Sequence, residues 1–442
     1  MLTSIIIFAI TYVLISGRRL RLIRIGRPAG VLLGTVLMVF AGVIGPQQAF
    51  TLVNWDTIVL LLGMMVITEH LAETGFFDLA VAWLERRRFG PAGLLAILVF
   101  GSGILSAFLV NDIVCVFFTP LLVLLLRRRR LPPLPFLVAL ATSSNIGSAM
   151  ALTGNPQNMI IGALSGLAYG RFFMLMMPIG LLGLGLNYGL LLVLYRKVLR
   201  GAVEKQAESA AQMAVALHHE SGTVPEQEPG LGQGVGQGLA WPKYRRRTLL
   251  VSALVVFGFF VLPDLPWTAL AGAVLLLFLC NRDEAAVLRR VDWNLLLFFA
   301  GLFVVTGALQ VSGATALISD SATRFLGNSG RHIWLFGGIS VLASNIFSNV
   351  PYVLIIADTL RQLPEPDLMW YTLAFASTVA GNLTLIGSVA NIIVAEKSRG
   401  LHELGFFEFL RFSLPSTLLV TAMGLGVLQL YSWLGWVQGL AR

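Results

Sequence analysis

The sequence predicts an all-α polytopic membrane protein built from two inverted repeats. Each repeat has five spans and one re-entrant hairpin, about ten spans and two hairpins in total. Three observations lead to this class. Of 442 residues, 57% are hydrophobic and 12% charged, with a mean hydropathy of +0.82. No soluble domain of this size can hide so much apolar surface. The basic residues fall in short clusters between apolar runs, which is how loop charge sets membrane orientation. Finally, marks of the first half return in the second at a constant distance. Val53-Asn54-Trp55 recurs as Val291-Asp292-Trp293, Gly75 as Gly313, and Asn111 as Asn349, each 238 residues on.

Residues 2–16 form a short first span that starts without a basic leader or a cleavage site, so it reads as retained. Arg18, Arg19, Arg21, Arg24 and Arg27 then mark the cytoplasmic side. The span 29–45 goes out, and the span from Trp55 to about Ala72 returns towards Arg86, Arg87 and Arg88. The apolar block 90–126 is basic at both ends, because Arg127–Arg130 follow it, so it must turn round within or across the membrane, as a re-entrant hairpin or two tight full passes. Ser106, Asn111 and Asp112 near its middle predict a hairpin tip buried in protein. The span 134–166 goes outward, and 172–194 comes back to Arg196, Lys197 and Arg200.

Residues 201–247 read as a flexible cytoplasmic linker rich in Gly and Gln, whose GxG repeats have no strand before them and carry no nucleotide signal. The second half has spans near 248–262, 266–280, 292–311, 367–395 and 413–436, with a hairpin at 332–361 entering from outside. Five spans are an odd number, so the second copy runs upside down relative to the first. This arrangement places 26 of the 31 Lys and Arg inside, leaving Arg171, Arg324, Arg331, Arg361 and Arg442 outside. The chain therefore divides into a first repeat (1–200), a linker (201–247) and a second repeat (248–442).

The first broken span is the stretch around which the site is expected. A helix cannot pass through Gly154-Asn155-Pro156 unperturbed, since Pro lacks the N–H and its ring strikes the preceding turn. Opened backbone at membrane depth is tolerated only where protein or a water-filled cavity satisfies it, the pattern of a transporter binding site. Small-residue helix packing is the plainer reading, but Asn145, Asn155, Asn158 and a Pro in one span exceed what packing needs. In the second half Asn382 matches Asn145, and Gly387-Ser388-Val389-Ala390-Asn391 matches Gly154-Asn155-Pro156-Gln157-Asn158.

Two hairpin tips and two broken spans thus supply the candidate ligand-binding residues. The tips give Asn111 and Asp112, and Ser348 and Asn349. The first broken span gives Ser144, Asn145, Thr153, Gly154, Asn155 and Asn158; the second gives Asn382, Thr384, Gly387, Ser388 and Asn391. Half-helix N-termini favour anions, while C-termini and unwound carbonyls favour cations. Asp112 is the one acid deep in an apolar block, where a carboxylate must pair, bind a cation or titrate. Glu69 and His70, near the inner end of the third span, are candidates for a proton relay or for packing.

No Lys or Arg lies at membrane depth, so a multiply charged anion would lean on dipoles, amides and a co-bound cation. Cys115 and Cys280 both sit in apolar spans and cannot form a disulfide framework or a three-thiolate site. Zinc spacings, a nucleophile elbow and a P-loop are all missing, so neither a resident cofactor nor enzyme chemistry is expected. The expected partners are the lipid bilayer and a small inorganic or organic ion, with H⁺ or Na⁺ as coupling ion, and not nucleic acid.

These residues resemble the ion-transporter superfamily, which groups arsenite permeases, NhaD-type sodium/proton antiporters, citrate transporters and divalent-anion/sodium symporters. Phe108-Leu109-Val110-Asn111-Asp112 followed by Thr119-Pro120 is similar to the arsenite permease hairpin. Asn145-Ile146-Gly147-Ser148 with Gly154-Asn155-Pro156-Gln157-Asn158 is similar to the plant silicon-efflux transporters and their bacterial relatives. Ser348-Asn349-Val350-Pro351 with Gly381-Asn382-Leu383-Thr384 resembles the NhaD-like side. The resemblance implies a scaffold domain that forms a homodimer and a transport domain of hairpins and broken helices. The tips depart from the Ser-Asn-Thr of the symporters, and the added acid, Asp112, favours proton coupling. The expected function is alternating-access, proton-coupled efflux of a small oxyacid such as arsenite or silicic acid across a bacterial inner membrane. Sodium/proton antiport, sodium-coupled citrate or dicarboxylate transport, and a channel remain the alternatives.

Overall fold

A computed structural model describes residues 1–17, 26–76, 79, 87, 89–204, 242–280, 283–314, 332–361 and 366–437. Most of the expected linker, 205–241, lies outside the described residues, as do Arg18, Arg19, Arg21, Arg24, Arg86, Arg88, Arg324, Arg331 and Arg442. Among the described residues every regular element is helical. The first half holds α1 (Leu2–Gly17), α2 (Arg27–Phe40), α3 (Pro46–Thr51), α4 (Trp55–Glu73), α5 (Pro91–Phe108), α6 (Asn111–Arg128), α7 (Pro133–Ser148), α8 (Pro156–Ser165) and α9 (Tyr169–Leu194). The second holds α10 (Pro242–Val261), α11 (Leu265–Cys280), α12 (Glu284–Arg290), α13 (Trp293–Val311), α14 (His332–Phe347), α15 (Asn349–Leu360), α16 (Pro366–Ala380), α17 (Val389–Ser398) and α18 (Phe406–Trp433).

Among the described residues, α4, α5, α9, α13 and α18 are long and apolar enough to cross a membrane singly. Other apolar helices are shorter, and several are halves of longer apolar stretches. The block 90–126 becomes α5 and α6, the span 134–166 becomes α7 and α8, and 367–395 becomes α16 and α17. Two boundaries differ from the sequence expectation. The span 29–45 stops at Phe40, where Gly42 adopts a left-handed φ of +67° and turns the chain into α3. The last helix starts at Phe406 rather than 413, because the Glu408 carboxylate accepts the Gly405 N–H (3.3 Å) and caps an extra turn.

Two of the three sequence marks that recur at 238 residues are helix-capping devices, one at the start and one at the end. Asn54 caps α4 by accepting the Thr57 N–H (2.8 Å), and Asp292 caps α13 by accepting the Leu295 N–H (3.1 Å). Gly75 (φ +69°) and Gly313 (φ +75°) end the same two helices in the left-handed region, where a Cβ is penalised.

Packing sorts the helices into two groups. In one, α1 and α13 pack on α2, α11 on α4, and α10 on α11. In the other, α5 packs on α7, α14 on α16, α9 on α7 and α18, and α16 on α18. The second group interleaves the two halves of the chain: α17 lies against α6, and α8 lies against α15. The groups meet chiefly where α4 touches α8, α9 touches α10, and α13 touches α15.

Candidate functional site

Four interruptions in the helices bring the polar residues together. Between α5 and α6 the chain runs extended through Leu109, and the Asn111 N–H then donates to the Gly154 carbonyl (3.0 Å), tying this break to the next. Between α7 and α8 the chain folds back so closely that a Cβ on Gly154 would collide with the Ser148 backbone. Asn155 then restarts the helix by accepting the Asn158 N–H (2.9 Å), with Pro156 in the first turn, where its missing N–H is harmless. Between α16 and α17, Ser388 plays the same part by accepting the Ala390 N–H (3.2 Å). Between α14 and α15, Ser348 sits at φ +65°, ψ +152°. A side chain there stores on the order of 1–3 kcal/mol of strain, which collects at functional sites.

The breaks free carbonyls that lipid could not solvate. Asn158 donates through Nδ2 to the carbonyls of Ser148 (3.3 Å) and Ala151 (3.1 Å). Asn391 does the same for Gly381 (2.8 Å) and Thr384 (3.1 Å). Both side chains are fully buried, and the amide N–H groups of these two candidate ligand residues are spent on their own backbone.

Asn145, 2% exposed, is the hub of the assembly. Its Nδ2 donates to Oδ1 of Asn382 (2.8 Å) and of Asn391 (3.0 Å). Its Oδ1 accepts from Asn111 Nδ2 (2.8 Å) and Ser388 Oγ (3.0 Å). One side chain thus joins the first hairpin and both broken spans. Asn382 returns through Nδ2 to the Thr142 carbonyl (3.0 Å). Ser144 accepts from Cys115 Sγ (3.2 Å), Thr384 donates to Asn345 Oδ1 (3.4 Å), and Asn155 donates to Ser148 Oγ (2.8 Å). Thr153 pairs with the Tyr169 hydroxyl (3.0 Å).

A cavity of about 240 Å³ opens beside this hub. Of the candidate residues, Asn111, Asp112, Ser348, Asn349, Gly387 and Ser388 line it. The first turns of α6, α8, α15 and α17 all border it, so the four helix N-termini at the breaks present their positive ends to one space, together with those of α2 and α13. Neither α6 nor α15 has a side-chain cap. Asp112, half-buried in the first turn of α6, is one of two acids at this meeting point, the other being Asp292. Oδ1 of Asn111 and Oδ1 of Asn349 are buried with no hydrogen-bond partner, a matched pair of orphan acceptors that native proteins seldom leave. The cavity wall also includes Ile15, Pro28 and Asp292, at the ends of α1, α2 and α13 next to the arginine-bearing segments.

Three polar wall residues, Gln157, Asp292 and Asn294, were not foreseen as site residues. Gln157 belongs to the recognised motif, and Asp292 carried a signal only as a repeat mark. Glu69 and His70 lie elsewhere. His70 Nδ1 is 3.1 Å from the Tyr244 hydroxyl, which donates to Glu73 (3.2 Å), and Arg290 pairs with Glu73 (3.1 Å) and Glu69 (4.0 Å). That cluster joins α4 to α10 and the end of α12, and none of its members lines the cavity.

Interrupted apolar helices, backbone satisfied internally, and a cavity bordered by helix N-termini define a membrane transporter. Comparison with known proteins names the family. Residues 10–380 match the family described as citrate transporter, and the chain belongs to it. A Dictyostelium discoideum protein bearing the transporter name arsB is 30% identical, covering 96% of this chain and 92% of that protein. Silicon efflux transporter LSI3 of Oryza sativa subsp. japonica is 32% identical over 91% of this chain and 92% of its own. The crystal structure of the Alcanivorax borkumensis YdaH transporter superposes with a TM-score of 0.57 at 16% identity, covering 92% of this chain and 90% of that one. That likeness bears on the fold.

Proposed function

We propose that this protein exports a small undissociated inorganic oxyacid, of the arsenite or silicic acid kind, in exchange for protons. It works by alternating access between two inverted repeats, as a homodimer in a bacterial inner membrane. The observation that carries the reading is the pair of orphan acceptors, Asn111 Oδ1 and Asn349 Oδ1, beside uncapped helix N-termini. A neutral hydroxide offers O–H donors to the first and oxygen acceptors to the second, so one solute satisfies both. At about 30 Å³ per water, the cavity holds roughly eight waters, room for a small oxyacid and part of its hydration. The names of the arsB and LSI3 relatives support the substrate class. With the arginine clusters inside, the cavity faces the cytoplasm, the loading side of an exporter.

The convergence of four N-termini favours a second reading, sodium-coupled uptake of an anion, with the Asn oxygens holding Na⁺. Liposomes carrying the purified protein separate the two. Arsenite or silicic acid should move uphill under an imposed proton gradient and ignore sodium. Movement of citrate or a dicarboxylate driven by sodium would establish the second reading, and solute that only runs downhill would mean a channel.

The two halves of the acceptor pair are expected to respond differently to alanine. Asn111 also donates to the hub, so Asn111→Ala should lower both the melting temperature and the flux per folded protein. Asn349 is half-buried and outside the hub, so Asn349→Ala should cut flux several-fold while the melting temperature stays close to wild type. Equal loss of stability in both, with flux per folded protein intact, would assign the pair to packing.

A further inference from the structure

A second cavity, of about 480 Å³, approaches the first broken span from the opposite end of the molecule. It is walled by Asp56 at the start of α4 and by Pro263–Trp267 between α10 and α11, segments without arginine or lysine. The two cavities flank one short helix. Pro156 and Gln157 at the start of α8 line the first, while Met159 and Gly162 further along line the second. At the floor of the second cavity stands Tyr169, 4% exposed. Its ring is packed by Phe259 (centroids 5.3 Å) and edge-on by Phe260 (5.1 Å), both on α10 in the other helix group. Its hydroxyl pairs with Thr153 (3.0 Å), and the Thr153 hydroxyl is also 3.3 Å from the Ala107 carbonyl at the end of α5. Thr153 precedes Gly154, whose carbonyl takes the Asn111 N–H.

We propose that Tyr169 is the outer gate of the transport route. Its ring closes the passage between the two helix groups, and its hydroxyl, through Thr153, couples that closure to the broken span that holds Asn111. The inference rests on the transporter reading and on the orientation that puts the arginines inside. The geometry suits a gate because each end of Tyr169 meets a different body: the ring meets α10, the hydroxyl meets the break. A motion that opens the outer cavity towards the site must part the ring from Phe259 and Phe260, and the hydroxyl bond to Thr153 holds the ring in the position where it meets them. Closure by packed rings plus one hydroxyl bond is readily reversible, as a gate requires.

Tyr169→Phe keeps the ring packing and deletes only the hydroxyl. The readout is the rate at which a membrane-impermeant maleimide, added outside, labels Met159→Cys, a position fully buried in the wall of the outer cavity. Ala163→Cys, exposed at the mouth of the same cavity, serves as reference. Tyr169→Phe and Thr153→Val should each raise Met159→Cys labelling several-fold and leave Ala163→Cys labelling unchanged. Unchanged Met159→Cys labelling in both variants would overturn the proposal. So would a rise at both cysteines together with a lower melting temperature, which marks general loosening. Labelling needs no knowledge of the solute, so failure of the export reading in liposomes and failure of the gate are separate results.

Discussion

Asp112→Asn is expected to give a protein that folds, reaches the membrane and still exchanges solute, but no longer drives it uphill. Asp112 sits in the first turn of α6, at the cavity wall where four helix N-termini meet. In the exchange proposed above, a carboxylate there, favoured by the helix dipole, takes up a proton or neutralises a cation as the cavity changes sides. Asparagine keeps the shape and much of the hydrogen bonding but does neither. Loss of the favourable N-terminal charge costs about 0.3–1 kcal/mol, so the melting temperature should fall only slightly. Uphill transport should drop by about two orders of magnitude or more, the scale on which loss of a proton-transferring group is felt. Asp112→Glu, which keeps the charge and moves it by one methylene, should retain part of the activity. Liposome flux under an imposed proton gradient reads the effect. Uphill transport at the wild-type rate and pH dependence in the Asn variant would remove Asp112 from the coupling step and make Asp292, the other acid in the cavity wall, the next candidate ahead of Glu69 and His70.

Asn145→Ala should be the most damaging substitution to the fold around the site. It deletes the partner of Asn111, Ser388, Asn382 and Asn391 at one stroke, and all four are buried. A buried polar group stripped of its partner costs about 1–3 kcal/mol, and a network loses more than one of its bonds suggests. The total is on the order of 4 kcal/mol or more, a large part of the stability of most folded proteins. The thermal unfolding midpoint of detergent-purified protein should fall by many degrees, and flux per folded molecule should vanish because the first hairpin loses its tie to the second broken span. An Asn145→Ala protein as stable as wild type would show that the hub contributes little to holding these elements in register.

Much of this was legible in particular residues. Gly154-Asn155-Pro156 announces a helix that stops and restarts, since Asn caps, Pro starts, and only Gly fits against the Ser148 backbone. Asn54 and Asp292, with Gly75 and Gly313, mark the ends of α4 and α13 because capping is settled within a few residues. The strain at Ser348 had no such signal, as nothing local demands a positive φ from a serine.

By itself, then, the amino-acid order determines the membrane class, the places where helices break and the polar residues at those breaks. Hydropathy, capping and proline geometry all act over a turn or two of chain. Its account of the candidate site stops at a list of asparagines. Asn145 and its partners Asn382 and Asn391 lie 237 and 246 residues apart, and nothing short-range predicts that they bond. Tertiary packing alone decides that Asn158 and Asn391 serve freed carbonyls while Asn111 and Asn349 keep buried acceptors without a partner. Packing likewise sets Glu69 and His70 apart from that cavity and adds Gln157, Asp292 and Asn294 to its wall. The reason is physical: a buried amide must be satisfied by whatever group the fold brings within about 3 Å, and that neighbour is chosen by helix packing rather than by position in the chain.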